Sequence, residues 1–380
     1  MFKKKKTKKT AYEFPRNLKE LGYCIDGEGK LKTLGGEPYK FEVKEKDKAY
    51  NEGLYDVLIE LISDWIQESL QKDHGMVRTL LPLGASETDI HTKIYLSPDY
   101  MNNENMIIFI PATSNTVGIW SRRVLADTSI LEGSMIAYTK RARELGFSVV
   151  ITNPNEVFWY KDRGVLVLPK TTSEFSTIPG SESPEDHMDY VFKTFVIPSA
   201  AQNIVIVANS YGGHCAIDVM QNNFKELKDR VKAIEFTATT HSIDFVKTDR
   251  MRVWVREHCR NWIMSDQPIG KEVIDIRFGC TSLSSGSDLN DFVTTNIKDE
   301  VFNFIERKKI TWGANEANVS DDFDEAHEVN EELLDYRVVQ EMMSNEGLYP
   351  LDDSAIDGLD IKDIREKIRS EEDPDSPWLN

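Results

Sequence analysis

Five short stretches of the chain are nearly continuous in apolar, often β-branched residues: "MIIFIPAT" (106–113), "SVVITNPN" (148–155), "NIVIVANS" (203–210), "VKAIEFTA" (231–238) and "EVIDIRFG" (272–279). Runs of this kind suit strands buried on both faces of a parallel sheet. Between them apolar residues return every three or four positions, over 133–145, 185–197, 212–228 and 250–263, which predicts helices. The alternation predicts an α/β fold with a doubly wound, mostly parallel sheet, whose ligand sites lie at the carboxyl ends of the strands. Upstream, Leu54, Val57, Leu58, Leu61, Ile62, Trp65 and Ile66 mark an amphipathic helix over 54–70. Residues 21–43 alternate around Asp26-Gly27-Glu28-Gly29, the pattern of an N-terminal β-hairpin. A stretch rich in Ser, Thr, Pro and Gly, from Val165 to Glu185, predicts a surface excursion.

Past Trp312 the periodicity thins and the charge changes. From Gly313 onward there are 21 acidic and 5 basic residues, leaving 43 acidic and 41 basic for the rest. The formal net charge of −18 therefore belongs almost entirely to residues 313–380, which predicts an acidic tail that is disordered or only partly helical. The rest of the chain, near neutral over 1–312, carries no broad footprint for nucleic acid. Residues 1–10 are expected to form a basic, disordered arm; its "KKKKTKK" fits a nuclear-import or polyanion-binding patch. No apolar run approaches the length of a membrane span. The four cysteines are scattered, which favours a reducing compartment, nuclear or cytoplasmic, over a disulfide framework or a zinc site. No metal or cofactor is expected.

The chemistry centres on "ANSYGG", residues 208–213, between an apolar strand and a helical pattern. Small-x-Ser-x-Gly in that setting is the nucleophile elbow of α/β hydrolases, with Ser210 on a tight turn, Ala208 and Gly212 giving it room, and the Tyr211 amide as first oxyanion donor. A serine elbow needs a base and an orienting acid downstream. Of the later histidines, His214 lies in the elbow helix, His258 in a helical pattern and His327 in the acidic tail. His241 alone follows the carboxyl end of a strand, with Asp244 or Asp288 as candidates to orient it. The loop "SLSSGSDLNDF" (282–292), where a catalytic histidine would be sought first, has none.

Several pieces in order, "EFPRNLKELGYCIDGEGKLKTLGGEPYKF", "GIWSRRVL", "ITNPNE", "SPEDHMDYVF", "VANSYGGHCAIDVM", "HCRNWIMSDQPIG" and "SLSSGSDLNDF", are similar to the Argonaute-binding-protein-two (Arb) domain shared with a family of animal cotranscriptional regulators. The resemblance runs from about residue 13 to 295. It implies an α/β-hydrolase-like fold and a scaffold or regulatory role in small-RNA silencing, heterochromatin formation or cotranscriptional regulation, beside Argonaute-type partners. It also marks departures. Where several members have His-Gly after the first core strand, this chain has Pro111-Ala112. Where some have an aspartate past the strand after the elbow it has Ala238, and where some have a loop histidine it has Asn290. Ser210 is kept, and His241 matches a histidine of relatives. The expectation is a non-catalytic scaffold; the alternative is a serine esterase using Ser210 with His241. For partner binding, the resemblance directs attention to tryptophans in flexible settings, Trp312 and Trp378, or to Trp120, Arg122 and Arg123 on the folded body.

Overall fold

The computed structural model describes residues 12–309 and Trp312, except Ser114, Val167 and 169–173. The expectations for the basic arm, the acidic tail, His327 and Trp378 lie outside the described residues. A hairpin of β1 (Tyr23–Ile25) and β2 (Leu31–Thr33) opens the body. At its turn the Asp26 carboxylate accepts the amides of Glu28 and Lys30. Helix α1 (Lys48–Lys72) follows, capped by Asp47 and burying Leu54, Leu58, Ile62, Ile66 and Leu70. It starts earlier than periodicity alone marks, because Asp47 accepts the Tyr50 amide at 3.1 Å and so fixes the first turn.

Strands β3 (Val77–Leu81), β4 (Thr92–Leu96), β5 (Asn105–Ile110) and β6 (Ser148–Ile151) come next, with α2 (Arg122–Asp127), α3 (Ile130–Gly133) and α4 (Ile136–Glu144) between the last two. A small antiparallel sheet of β7 (Phe158–Trp159), β8 (Gly164–Val165) and β9 (Ser176–Thr177) precedes α5 (Pro184–Val191). The chain continues through β10 (Asn203–Asn209), α6 (Tyr211–Asn222), α7 (Phe224–Leu227), β11 (Val231–Thr237), α8 (Asp249–His258), β12 (Cys259–Ile263), β13 (Glu272–Val273), β14 (Thr281–Ser284), α9 (Asn290–Asn296) and α10 (Lys298–Lys309).

Among the described residues the centre is a nine-stranded sheet in the order β13-β14-β12-β11-β10-β5-β6-β4-β3. The run from β14 to β6 is parallel, while β13 at one edge and β4 with β3 at the other are antiparallel. Because side chains of a strand alternate between faces, the apolar runs feed two cores at once. Ile107, Phe109, Val205 and Val207 pack with α1, α4 and α10 on one face. Ile108, Ile110, Ile204, Ile206 and Ala208 pack with α5, α6 and α8 on the other.

Three expectations change. The helical pattern over 250–263 stops at His258, and "CRNWI" is a parallel strand against β11. The expected strand 272–279 shrinks to the two-residue β13, because the Asp275 carboxylate caps a 3₁₀ turn, Ile276–Phe278, whose apolar residues reach the core from a turn instead. The excursion from Val165 is anchored by Ile178 and Ser181, both fully buried.

Candidate active site

Ser210 sits where the sequence places it, between β10 and α6, and its backbone is left-handed at φ 51°, ψ −121°. For a non-glycine residue this costs about 1–3 kcal/mol and persists only where the surroundings over-determine it. They do so here. The Ser210 amide donates to Thr237 O at 2.9 Å, and the Ser210 carbonyl accepts the amides of Gly213 (3.0 Å) and Thr240 (3.2 Å). The glycines have steric reasons. A Cβ at Gly212 would lie 2.9 Å from Pro111 O, and one at Gly213 would lie 2.0 Å from Thr239 Oγ1.

A polar latch beneath the elbow joins β10, β11, α9 and α4. The Asn209 amide donates to the hydroxyls of both Thr237 and Thr294, and these hydroxyls bond each other at 2.8 Å. The Tyr138 hydroxyl closes the set on Thr294 O at 2.7 Å. All four residues are buried or nearly so. The latch fixes α9, and so Asn290 at its first position, against the carboxyl ends of β10 and β11.

Ser210, Ala238 and Asn290 line one cavity of about 810 Å³ at the carboxyl edge of the sheet. The positions that would carry a nucleophile, an acid and a base are thus brought together, but two of the three side chains cannot titrate. Ala238 is itself held at φ 47°, a conformation for which alanine is poorly suited. Among the described residues the Ser210 hydroxyl has no hydrogen-bond partner.

His241 does not supply the missing base. It is 2 % exposed and both ring nitrogens are engaged, Nδ1 with the Thr239 hydroxyl at 2.9 Å and Nε2 with Phe278 O at 3.0 Å. A carbonyl can only accept, so Nε2 carries the proton and Nδ1 accepts from Thr239. Burial, only partly offset by the Phe278 carbonyl, pushes its pKa down to about 4. Neither Asp244 nor Asp288 orients it, because the ring has no free nitrogen to offer. Asp244 instead accepts from Ser242 in an exposed turn. His214 stacks on Tyr211 and lies 3.8 Å from Glu185, which also accepts the Tyr211 hydroxyl. His258 stacks flat on Trp254 and bonds its carbonyl.

The partner candidates fare unevenly. Trp120 is a core residue, 2 % exposed and packed edge-on to Phe109 and Tyr138, so it is no surface anchor. Its place in an apolar run after β5 carried that signal. Arg122 lies over the Tyr55 ring and pairs with Asp56, and Arg123 pairs with Asp127 and Asp291. Both arginines line the Ser210 cavity, as does Trp120. Trp312 rests edge-on against Phe147 and is partly buried. Sequence reasoning missed the latch residues Asn209, Thr237 and Thr294, whose partners lie 28 and 85 positions apart. Among the described residues no cluster of His, Cys, Asp or Glu could hold a metal ion, and no helix is long and apolar enough to cross a membrane.

Comparison with known proteins gives a consistent result. The Arb2 domain model matches residues 14–269. A cotranscriptional regulator ARB2A homolog of Xenopus tropicalis is 26% identical over 339 residues, covering 77% of this chain and 80% of that protein. ARB2A of Mus musculus is 25% identical over 336 residues, covering 77% and 81%. The homolog of Dictyostelium discoideum is 27% identical over 319 residues, covering 77% and 80%. Among solved structures, the histone deacetylase Clr3 aligns with a TM-score of 0.43 at 11% identity, covering 73% of this chain and 47% of that one. An S-formylglutathione hydrolase from Agrobacterium tumefaciens aligns at 0.33 and 14%, covering 61% and 96%.

Proposed function

This chain belongs to the Arb2 domain family, and on that premise we propose that it is a non-catalytic regulator, an α/β-hydrolase-like body that works through protein partners in nuclear, cotranscriptional or small-RNA-linked control of chromatin. The family supports the regulatory setting, since relatives over most of this chain are named cotranscriptional regulators. One observation carries the non-catalytic part. Ala238 and Asn290 stand in the cavity of Ser210 at the two positions where the resemblance places an acid and a base in some members, and His241 has both nitrogens bonded elsewhere. A serine hydroxyl is a poor nucleophile until a base takes its proton. Loss of one triad member typically lowers turnover by about 10⁴-fold.

The direct test is labelling with a fluorophosphonate probe. The parent protein is expected to label no more than Ser210→Ala. Labelling that disappears in Ser210→Ala sinks the reading and favours the serine esterase, which the retained left-handed elbow at Ser210 supports. For partners we propose an Argonaute-type protein, contacted by the tail that carries Trp378 rather than by the buried Trp120. Domain limits of 11–312 for the body and 313–380 for the acidic segment belong to the same proposal.

A further inference from the structure

We propose that a second cavity, of about 690 Å³ between α1, β4 and the β7–β8 turn, binds a primary ammonium group on a short alkyl stem, held by the Glu156 carboxylate. Glu156 lies just past β6, in "ITNPNE", and does not line the cavity of Ser210. It is 6 % exposed and lines the second cavity, yet its carboxylate makes no hydrogen bond and no ion pair among the described residues. The carboxylate turns towards Gly164, which stands on the same wall: a Cβ added at Gly164 would lie 3.0 Å from Glu156 Oε2.

The cations on the wall are engaged elsewhere. Arg16 pairs with Glu60, Arg78 with Glu87 and Arg122 with Asp56. Lys93 and Arg163 remain, and neither pairs with Glu156. Their charges bear on Asp64, where close packing raises the carboxyl pKa and these two cations pull it back. A carboxylate taken out of water needs an opposite charge as well as donors. A metal ion does not answer the need, because among the described residues no group of three His, Cys, Asp or Glu could hold one. A primary ammonium brings one positive charge and three donors. It is also compact enough for the small surface that Glu156 shows, where a planar guanidinium is not. Ile59, Ile119, Val165 and Leu166 supply apolar wall for the stem. Trp159, packed on His91, adds an aromatic ring, a surface that attracts cations. The inference does not rest on Ser210 being inactive.

The test is calorimetric titration of the full-length protein in about 0.15 M salt, which screens loose charge attraction. The titrants are pentylamine, pentan-1-ol and Nα-acetyl-lysine N-methylamide. Pentylamine is expected to bind with a Kd below about 1 mM, and the alcohol at least about tenfold more weakly. Glu156→Gln keeps the size of the side chain and removes its charge; it is expected to weaken pentylamine about tenfold or more. Gly164→Ala would set a methyl against the carboxylate, and is expected to weaken pentylamine at least about threefold. It decides the matter if Glu156→Gln fails to fold by thermal melt. Binding of the acetyl-lysine amide as tight as that of pentylamine assigns the site to a lysine side chain of a protein; much weaker binding assigns it to a free amine. No binding of pentylamine by about 10 mM, equal binding of the alcohol, or an amine affinity that neither folded variant changes overturns the proposal.

Discussion

At the scale of the residue, two buried histidines, His187 and His241, are structural. His187 is fully buried; its Nε2 accepts the Asn153 amide at 3.0 Å and its Nδ1 meets the Ser181 hydroxyl. Burial lowers its pKa to about 3, and that of His241 to about 4, from an ordinary 6.5. The unfolded chain therefore takes up these protons first as the pH falls. Their contribution to stability is complete above about 6.5 and falls away as the pH drops towards about 4 and 3. Each is worth about 1.4 kcal/mol per pH unit within its window. Urea unfolding at pH 7, 6 and 5 is expected to show this slope, and His241→Gln to reduce it by one proton's share. An unchanged slope in that variant means that His241 is not a source of it. Ala238 is the other telling residue. Its left-handed backbone suits asparagine, aspartate or glycine better than alanine.

At the scale of the element, the β-α alternation was legible because the strands are buried on both faces, and β5, β6, β10 and β11 lie where the apolar runs stand. Strand β12 was not. Its Arg260 and Asn261 break the apolar run, since Arg260 reaches Glu235 at 2.9 Å and Trp262 Nε1 meets the same carboxylate at 2.8 Å. An ion pair inside a sheet leaves no apolar signature. Glu235 is fully buried, and burial raises its pKa against the pull of Arg260 and Trp262. Strand β3 at the sheet edge and β4 beside it alternate weakly, so they fall below any periodicity. At the site, the elbow was legible from six residues, whereas the latch was not, because α9 meets β10 only in three dimensions. The latch makes a prediction of its own. Thr294→Val is expected to lower stability by about 1–3 kcal/mol, as the Asn209 amide loses one buried acceptor, and to speed hydrogen exchange in α9. Unchanged exchange there would show that packing of Val293 alone holds the helix.

At the scale of the whole molecule, two apolar cores share one sheet, and the last described residue, Trp312, closes one of them at Phe147. The sequence beyond carries 21 acidic and 5 basic residues, and this like charge opposes ordering it. Truncation after Trp312 is therefore expected to move the Tm by less than about 5 °C. A larger fall would mean that residues such as Leu333, Leu334, Val338 and Val339 pack on the body. The position of Trp312 has a further consequence. Phe147 stands just before β6, at the amino edge of the parallel strands, whereas Ser210, Ala238 and Asn290 crowd the carboxyl edge. Trp312 thus sits at the pole remote from the cavity. A molecule arranged in this way keeps its two ends apart: whatever meets the edge at Trp312 does not crowd the cavity at Ser210.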